Sequence, residues 1–138
     1  MILFYDACAV IYQVEAAHPY YLRLEELASR LRKQHADARV AVSALSLMEC
    51  RVKPLHAKDE QRLKRFDEFF ELEGLLIVPL DTAVILQATE VRARTSLRTP
   101  DAIQAACAQS LGDDVTFLTN DPEFRRVVKA FQDANYDY

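Results

Sequence analysis

Acidic residues stand where apolar runs end or where helices are predicted to begin, and they are the residues best suited to chemistry. Asp6 and Asp81 follow two such runs directly, Asp121 lies shortly after another, and Glu49 lies about one helical turn beyond a fourth. Asp101 lies at a predicted helix start. Two unit charges 4 Å apart repel by about 4 kcal/mol at an effective dielectric constant near 20. A divalent cation that prefers oxygen ligands, Mg²⁺ or Mn²⁺, would remove that cost.

The acids are positioned by strands that alternate with helices along the chain. Apolar runs predict four strands, at Ile2–Tyr5, Arg39–Ser43, Leu75–Leu80 and Val115–Leu118. The helix after the second strand is expected to be interrupted at Pro54. A last helix is predicted from Pro122 to about Phe131, and the final residues, Asn135 to Tyr138, either form an edge strand or fray.

This order of elements predicts an α/β fold. The strands read as continuous apolar runs, which is typical of a parallel sheet covered by helices on both faces. In such folds, ligands bind beyond the carboxyl ends of the strands, where the strand order switches. Acids at those ends would therefore meet at one edge of the sheet.

Helix capping explains the same acids without a catalytic role, and the residues alone leave both interpretations open. Asp6 and Asp121 suit the N-cap position of the helices that follow them. Ser46 and Glu49 have the spacing of a capping box. The segment Thr99–Asp101 offers a threonine for the N-cap, a proline for the first helical position and an acid that complements the helix dipole.

Four segments occur in an order and spacing that carry a family resemblance. They are Tyr5-Asp6, Ser43 with Glu49, Arg98-Thr99-Pro100-Asp101-Ala102 and Phe117-Leu118-Thr119-Asn120-Asp121. The set resembles the PIN-domain nucleases, and in particular the small VapC-type toxin ribonucleases of toxin–antitoxin pairs. The resemblance covers essentially the whole chain. It implies one PIN-like nuclease domain over residues 1–138, built as a three-layer sandwich with a central parallel sheet of order 3-2-1-4-5.

The same resemblance implies a site and an activity. The metal-binding acids of the family correspond to Asp6, Glu49, Asp101 and Asp121, and Thr119 and Ser43 correspond to supporting hydroxyl residues. The implied activity is a Mg²⁺-dependent endoribonuclease, with Mn²⁺ as a substitute, acting as the toxin of a type II toxin–antitoxin system. Asp6, Asp101 and Asp121 are expected to hold the metal, and Glu49 to orient or deprotonate the metal-activated water. The expected products carry a 5′-phosphate and a 3′-hydroxyl.

The residues after the first acid depart from the family pattern. Many relatives carry Asp-Thr-Ser or Asp-Ser-Ser at the first acid, whereas this chain has Ala7 and Cys8 after Asp6. A hydroxyl that could orient the acid or a metal-bound water is therefore absent at position 7.

Asp81 is excluded from the metal site because its strand should lie two strands, or about 10 Å, from Asp6. It is interpreted as the N-cap of a helix that begins at Thr82.

The charge balance bears on the nucleic-acid hypothesis. The net charge is −4, from 17 basic and 21 acidic residues, which argues against a purely electrostatic nucleic-acid binder. Arginines that lie close to the acids in sequence could line a path for an RNA backbone: Arg51, Arg94, Arg98 and Arg125. Ordinary solvated helix faces explain each of them as well.

Partners are suggested by surplus apolar residues. Tyr12, Tyr20, Tyr21 and Leu22 cannot all point inward from one helical region, and Phe66, Phe69 and Phe70 also span a wide arc. Surplus apolar surface is typical of an interface, although the two small faces of the sheet could absorb most of these residues. The family resemblance implies a cognate antitoxin protein, an RNA substrate and a homodimer.

Composition excludes several other classes. The chain has 138 residues, 51% of them hydrophobic, with only two Gly and five Pro, which excludes disordered and collagen-like proteins. Apolar runs stay far below about 18 residues, and the N-terminus lacks the basic region of a signal peptide, so a cytoplasmic protein without a membrane span is expected. Cys8, Cys50 and Cys107 form no Cys-x-x-Cys pair and are expected to be small, buried, free thiols in a reducing cytosol.

Three rival functions also place acids at the ends of strands or retain the same fold. One is a non-catalytic PIN-like module that binds RNA or protein, against which the four acids argue. Another is an aspartyl-phosphate phosphohydrolase, but the second acid expected two residues after Asp6 is replaced by Cys8. The last is a receiver domain, but no lysine follows Leu118 where one is expected.

Overall fold

A computed structural model describes residues 1–127 and 135–137 of the chain. Its strands are β1 (Ile2–Tyr5), β2 (Arg39–Ser43), β3 (Leu76–Val78), β4 (Val115–Leu118) and β5 (Asn135–Asp137). Its α-helices are α1 (Ala7–Glu15), α2 (Tyr20–Gln34), α3 (Leu45–His56), α4 (Glu60–Phe70), α5 (Thr82–Thr95) and α6 (Thr99–Gln109), and a 3₁₀ helix covers Pro122–Phe124. No helix within these residues is long and apolar enough to cross a bilayer.

The five strands form one parallel sheet in the order β3-β2-β1-β4-β5. This confirms the predicted order 3-2-1-4-5 and the edge strand at the end of the chain. In the register of the sheet, Tyr5 at the end of β1 pairs with Val42 on one side and Leu118 on the other. The residues that follow these three positions therefore emerge at the same edge of the sheet.

Helices cover both faces of the sheet, as the continuous apolar strands predict. On one face, Phe4, Ala41 and Phe117 pack with helices α5 and α6. On the other face, Leu3 and Val42 pack with residues of α1 to α4. The result is the predicted three-layer sandwich, with one hydrophobic core on each side of the sheet.

The second core absorbs the phenylalanines that the sequence suggested were surplus. Phe66 is fully buried, Phe70 is 8% exposed, and Phe69 packs against the same core. Of the two alternatives for this arc, an interface or burial against the sheet, the structure therefore shows burial. Leu22 on α2, in contrast, is 59% exposed and remains apolar surface without a place in either core.

Prolines account for two differences between the predicted and observed elements. Strand β3 ends at Val78 rather than Leu80, because Pro79 has no N–H to continue the ladder. Helix α3, in contrast, continues through Pro54 to His56, so the predicted interruption is wrong. Pro54 lies in the last turn of α3 and is fully buried, and its packing offsets the single helical hydrogen bond that it cannot donate.

The predicted helix from Pro122 starts as the 3₁₀ turn and is helical at residues 125–127. The remainder of that prediction, residues 128–131, lies outside the described residues, as does Tyr138.

Three of the acids cap helices. Asp6 accepts a hydrogen bond from the Ala9 N–H at 2.8 Å, and Asp81 accepts one from the Val84 N–H at 2.9 Å. Asp121 caps the 3₁₀ turn through the Glu123 N–H at 2.9 Å. These caps confirm the interpretations of the three residues as N-caps.

Of the other two capping interpretations, the capping box is wrong, and the one for α6 is right for Pro100 and Asp101 in the first turn but wrong for Thr99. Ser46 lies inside α3, and its hydroxyl accepts from the Gln104 amide, so no capping box forms with Glu49. Arg98, rather than Thr99, occupies the N-cap of α6.

Asp81 provides a test of capping away from the predicted site. Asp81→Ala should lower the free energy of unfolding by about 1 kcal/mol because the Val84 N–H loses its partner. Asp81→Asn should cost only a few tenths of a kcal/mol, since asparagine caps about as well. Urea unfolding of both variants measures the difference. Equal losses in the two variants would show that the charge, and not the cap, is what stabilises this end of α5.

Candidate active site

The Asp6 carboxylate lies at the centre of the sheet edge and is held through both of its oxygens. It follows the central strand β1 and is 4% exposed. Its Oδ1 accepts the hydrogen bond from the Ala9 N–H, and its Oδ2 accepts one from the Thr119 hydroxyl at 2.5 Å. Thr119 follows β4 directly, so the register of β1 with β4 places the two residues side by side.

The Thr119 hydroxyl also connects Asp6 to Asp121. Its Oγ1 accepts a hydrogen bond from the Asp121 N–H at 3.0 Å while it donates to Asp6. Thr119 is 5% exposed, so this link is shielded from solvent. The predicted supporting residue is thus in direct contact with two of the four acids.

The helices supply the other two acids. Glu49 lies on α3 and Asp101 in the first turn of α6, and both are partly exposed. The Gln104 amide, on α6 one turn after Asp101, donates to Glu49 Oε1 at 2.9 Å. A single side chain of α6 therefore connects the helix that carries Asp101 to Glu49.

Gln104 is the residue of this region that the sequence analysis missed. Helix-interior glutamines have no characteristic spacing or flanking signal. The only clue was an amide within an otherwise small and apolar stretch, from Ala102 to Ala108. Such a residue is expected to be buried, and a buried amide requires partners.

Ser43 lies behind the acids rather than among them. It is fully buried at the end of β2, and its hydroxyl accepts hydrogen bonds from the Leu45 N–H at 3.0 Å and the Cys107 thiol at 3.2 Å. These contacts fix the start of α3, the helix that carries Glu49. Ser43 therefore supports the site through the backbone that positions the acid.

The four acids act on one another electrostatically. Burial raises the pKa of Asp6 to about 6, although the Thr119 and Ala9 hydrogen bonds lower it, and the charges of Glu49 and Asp121 add to the rise. Burial raises the pKa of Glu49, and the charge of Asp101 adds to that rise while the Gln104 hydrogen bond opposes it. The sheet edge thus concentrates negative charge.

Asp101 is coupled in the same way. Burial raises the pKa of Asp101, and the Asp121 charge raises it further, against the Arg98 guanidinium that lowers it. The Arg98 Nε lies 4.0 Å from the Asp101 carboxylate, but its side chain is 88% exposed, so solvent weakens this pair. Asp81, in contrast, is absent from the charges that act on these acids, in agreement with its position at the end of β3.

The donor set fits a hydrated divalent cation better than a closed ligand cage. Within residues 1–127 and 135–137, no three His, Cys, Asp or Glu side chains converge closely enough to form a ready metal site. Mg²⁺ does not require such a group, because it keeps several waters and is commonly held by one or two carboxylates. Hard carboxylate oxygens that repel one another are the appropriate chemistry for such an ion.

Cys8 and Ala7 leave the orientation of Asp6 unaffected. The two hydrogen bonds to its oxygens come from Thr119 and the Ala9 backbone, so neither depends on a hydroxyl at position 7. Burial and the nearby carboxylates raise the pKa of the Cys8 thiol to about 11. At neutral pH, Cys8 is therefore an uncharged thiol beside the acids. All three cysteines are free, and Cys50 and Cys107 are buried as predicted, but the prediction of burial is wrong for Cys8, which is exposed because it lies at the start of α1 at the edge of the sheet.

The four arginines differ in their surroundings. Arg51 Nε is paired with Asp67 at 2.8 Å and connects α3 to α4. Arg98 lies beside Asp101, and Arg94 lies exposed in the last turn of α5. Arg125 lies exposed just after the 3₁₀ turn that Asp121 caps.

The family of the chain follows from comparison with known proteins. A family profile described as "PIN domain" matches residues 3–130. The chain therefore belongs to the PIN domain family. Among curated proteins, none matches the sequence significantly.

Solved structures share the fold at low sequence identity. VapBC2 from Rickettsia felis, bound to a DNA fragment from their promoter, has a TM-score of 0.72 at 22% identity, covering 99% of this chain and 98% of that chain. VapBC-1 from nontypeable Haemophilus influenzae has a TM-score of 0.74 at 17% identity, covering 99% and 97%. VapBC-5 from Mycobacterium tuberculosis, a member of the VapBC family of toxin–antitoxin systems, has a TM-score of 0.62 at 20% identity, covering 98% and 96%.

The raised pKa of Asp6 predicts how the stability of the metal-free protein depends on pH. An aspartate in the unfolded chain has a pKa near 3.9, so between about pH 4 and 6 the folded state binds more protons than the unfolded state. The free energy of unfolding should therefore fall as the pH rises through this range, by about 3 kcal/mol for this residue.

The measurement is urea unfolding in EDTA at pH 4 to 7 for the wild type and for Asp6→Asn. Asparagine keeps the acceptor for the Ala9 N–H but removes the charge. The stability of the variant relative to the wild type should rise with pH over this range. Parallel pH profiles would contradict the raised pKa of Asp6.

Proposed function

We propose that this chain is a divalent-metal-dependent endoribonuclease that acts as the toxin of a type II toxin–antitoxin pair. One observation carries the proposal: a buried aspartate after the central strand is electrostatically coupled to Glu49 and Asp121, and Asp101 is coupled in turn to both of these acids. Membership of the PIN domain family and the shared fold with VapBC proteins support it.

The proposed roles follow from the surroundings of each acid. Asp6, Asp101 and Asp121 would hold Mg²⁺, or Mn²⁺ in its place, with Thr119 fixing the Asp6 carboxylate. A bound divalent cation supplies neutralisation of phosphate charge and acidification of a water molecule. Glu49 is partly exposed and its pKa is raised by burial, which suits a group that orients a water and accepts its proton. The products would carry a 5′-phosphate and a 3′-hydroxyl.

An RNA backbone would approach along arginines on the elements that carry the acids or adjoin them. Arg98, beside Asp101, is largely exposed, and Arg94 and Arg125 lie on the neighbouring elements. Phosphate binding by such residues depends strongly on salt. Arg51 is paired with Asp67, which connects α3 to α4.

The partners of this function are a cognate antitoxin and a second copy of the chain. An exposed apolar stripe on α3, formed by Met48, Val52 and Leu55, is available for such contacts, because each side chain is more than half exposed. Glu49 and Val52 are three residues apart on α3 and are therefore neighbours on its surface, so a protein bound at this stripe would also reach the proposed site.

A second candidate function is a PIN module that binds RNA or protein without cleaving it. The observation that favours it is the lack of a ready three-ligand metal group among the described residues. Incubation of a mixed RNA pool with the purified protein and Mn²⁺ distinguishes the two functions. Cleavage that EDTA abolishes supports the nuclease, whereas RNA binding without cleavage supports the alternative.

Asp101→Asn is the sharpest substitution for the nuclease proposal. It removes a carboxylate charge and keeps the shape of the side chain, so RNA cleavage should fall by several orders of magnitude. Stability should change little or rise, since the repulsion from Asp121 is relieved. The readouts are cleavage of the RNA pool and the melting temperature.

Asp81→Asn is the matched control, since it makes the same change at an acid that caps α5 two strands away. It should retain cleavage close to that of the wild type. If the two variants lose activity equally, or if Asp101→Asn retains it, the proposed site is wrong.

Metal should also stabilise the fold. An ion that binds only the native state adds about 2.7 kcal/mol at a hundredfold excess over Kd. We therefore expect the melting temperature to rise with Mg²⁺ and to rise more with Mn²⁺, which binds such sites more tightly. Both effects should vanish in the double variant Asp6→Asn, Asp101→Asn, which should itself melt above the wild type in EDTA. A melting temperature of the wild type that ignores both ions would contradict the metal site.

A further inference from the structure

Gln104 is a buried amide between the helices of two acids, and the roles proposed above leave it unused. Its side chain is 3% exposed and lies on α6, one turn after Asp101. The Nε2 atom donates to Glu49 Oε1 and to Ser46 Oγ, each at 2.9 Å. A primary amide has two N–H donors, so both are occupied.

These two contacts define the direction of the Glu49 side chain. Ser46 is fully buried and lies one turn before Glu49 on α3. One N–H of the Gln104 amide therefore donates to the fixed Ser46 hydroxyl, and the other N–H donates to the Glu49 carboxylate. Glutamate has several rotatable bonds, and a donor in a fixed place selects among its conformations.

Packing alone does not account for an amide at this position. Its neighbours on α6, Ala102, Ala105 and Ala106, are fully buried and apolar. The Gln104 Oε1 atom is itself buried and has no hydrogen-bond partner among the described residues. An unpaired buried acceptor destabilises a fold, and an apolar side chain of the same length would avoid that cost.

We propose that Gln104 is a positioning residue for the reaction, which holds the Glu49 carboxylate in the orientation that directs water at the RNA phosphate. This inference rests on the proposed nuclease function. Gln104 contacts neither substrate nor metal in this scheme, and it acts only through Glu49. Its loss should therefore affect the rate of the chemical step more than the binding of RNA.

The test is Gln104→Met, which keeps the length of the side chain and removes both donors. With Mn²⁺ and an RNA substrate, kcat should fall on the order of tenfold to a hundredfold, because a misplaced catalytic group costs that much. KM should change less than twofold. Gln104→Glu, which keeps the shape and polarity but replaces the donor, should lose kcat as well.

Gln109→Met is the matched control on the same helix. Gln109 accepts a hydrogen bond from Gln87 on α5 at 2.5 Å, and its own Nε2 is buried without a partner among the described residues. It therefore makes the same kind of contact but away from Glu49, and its substitution should leave kcat unchanged. An unchanged kcat in Gln104→Met, or a change confined to KM or matched by Gln109→Met, would overturn the proposal.

A spectroscopic readout separates this inference from the function on which it rests. In the ¹⁵N-labelled, metal-free protein, Glu49→Ala should shift one of the two side-chain amide protons of Gln104, and Ser46→Ala should shift the other. The Gln109 amide should respond to neither. If the amide protons of Gln104 do not shift in Glu49→Ala, the positioning role is wrong, whatever the activity of the protein. A wild type that binds Mn²⁺ and never cleaves RNA instead contradicts the nuclease function.

Discussion

The buried carboxylate of Asp6, at the end of the central strand, is the constraint on which this arrangement depends. A charge with 4% exposure is unfavourable unless hydrogen bonds or an opposite charge offset its loss of hydration. The Ala9 N–H and the Thr119 hydroxyl offset part of this loss, yet the pKa is still raised to about 6. In the metal-free protein near neutral pH, the buried negative charge of Asp6 therefore destabilises the fold. A bound cation would offset that effect.

The parallel register of the sheet brings a second acidic segment beside Asp6. Tyr5 and Leu118 are paired, so the residues after β1 and β4 meet, and one threonine hydroxyl connects the two acidic segments. The helices α3 and α6 then bring Glu49 and Asp101 from elsewhere in the chain. The Gln104 amide on α6 donates to Glu49 on α3, so the contact between these two helices sets the positions of both acids.

Residue patterns predicted the parts of this structure that depend on local or repetitive signals. Continuous apolar strands, acids at their ends and alternating helices were sufficient for an α/β sheet with helices on both faces, while the strand order came from the family resemblance. Pro54 was misjudged because its cost to a helix is local, whereas the burial that offsets it is tertiary. Gln104 was missed because its partners lie 55 and 58 residues away, and no spacing within α6 reveals them.

Helix capping and metal binding, which the sequence presented as alternatives, are compatible with each other at Asp6 and Asp121. Each caps with one oxygen, and that contact requires an acceptor but not a charge, so asparagine would serve it about as well. The fold would in fact be more stable with a neutral cap at position 6, where the charge is buried beside other carboxylates. Capping therefore explains the geometry of Asp6 but leaves its negative charge unexplained. A cation bound at the sheet edge would account for that charge, and such a cation is what the proposed nuclease function requires.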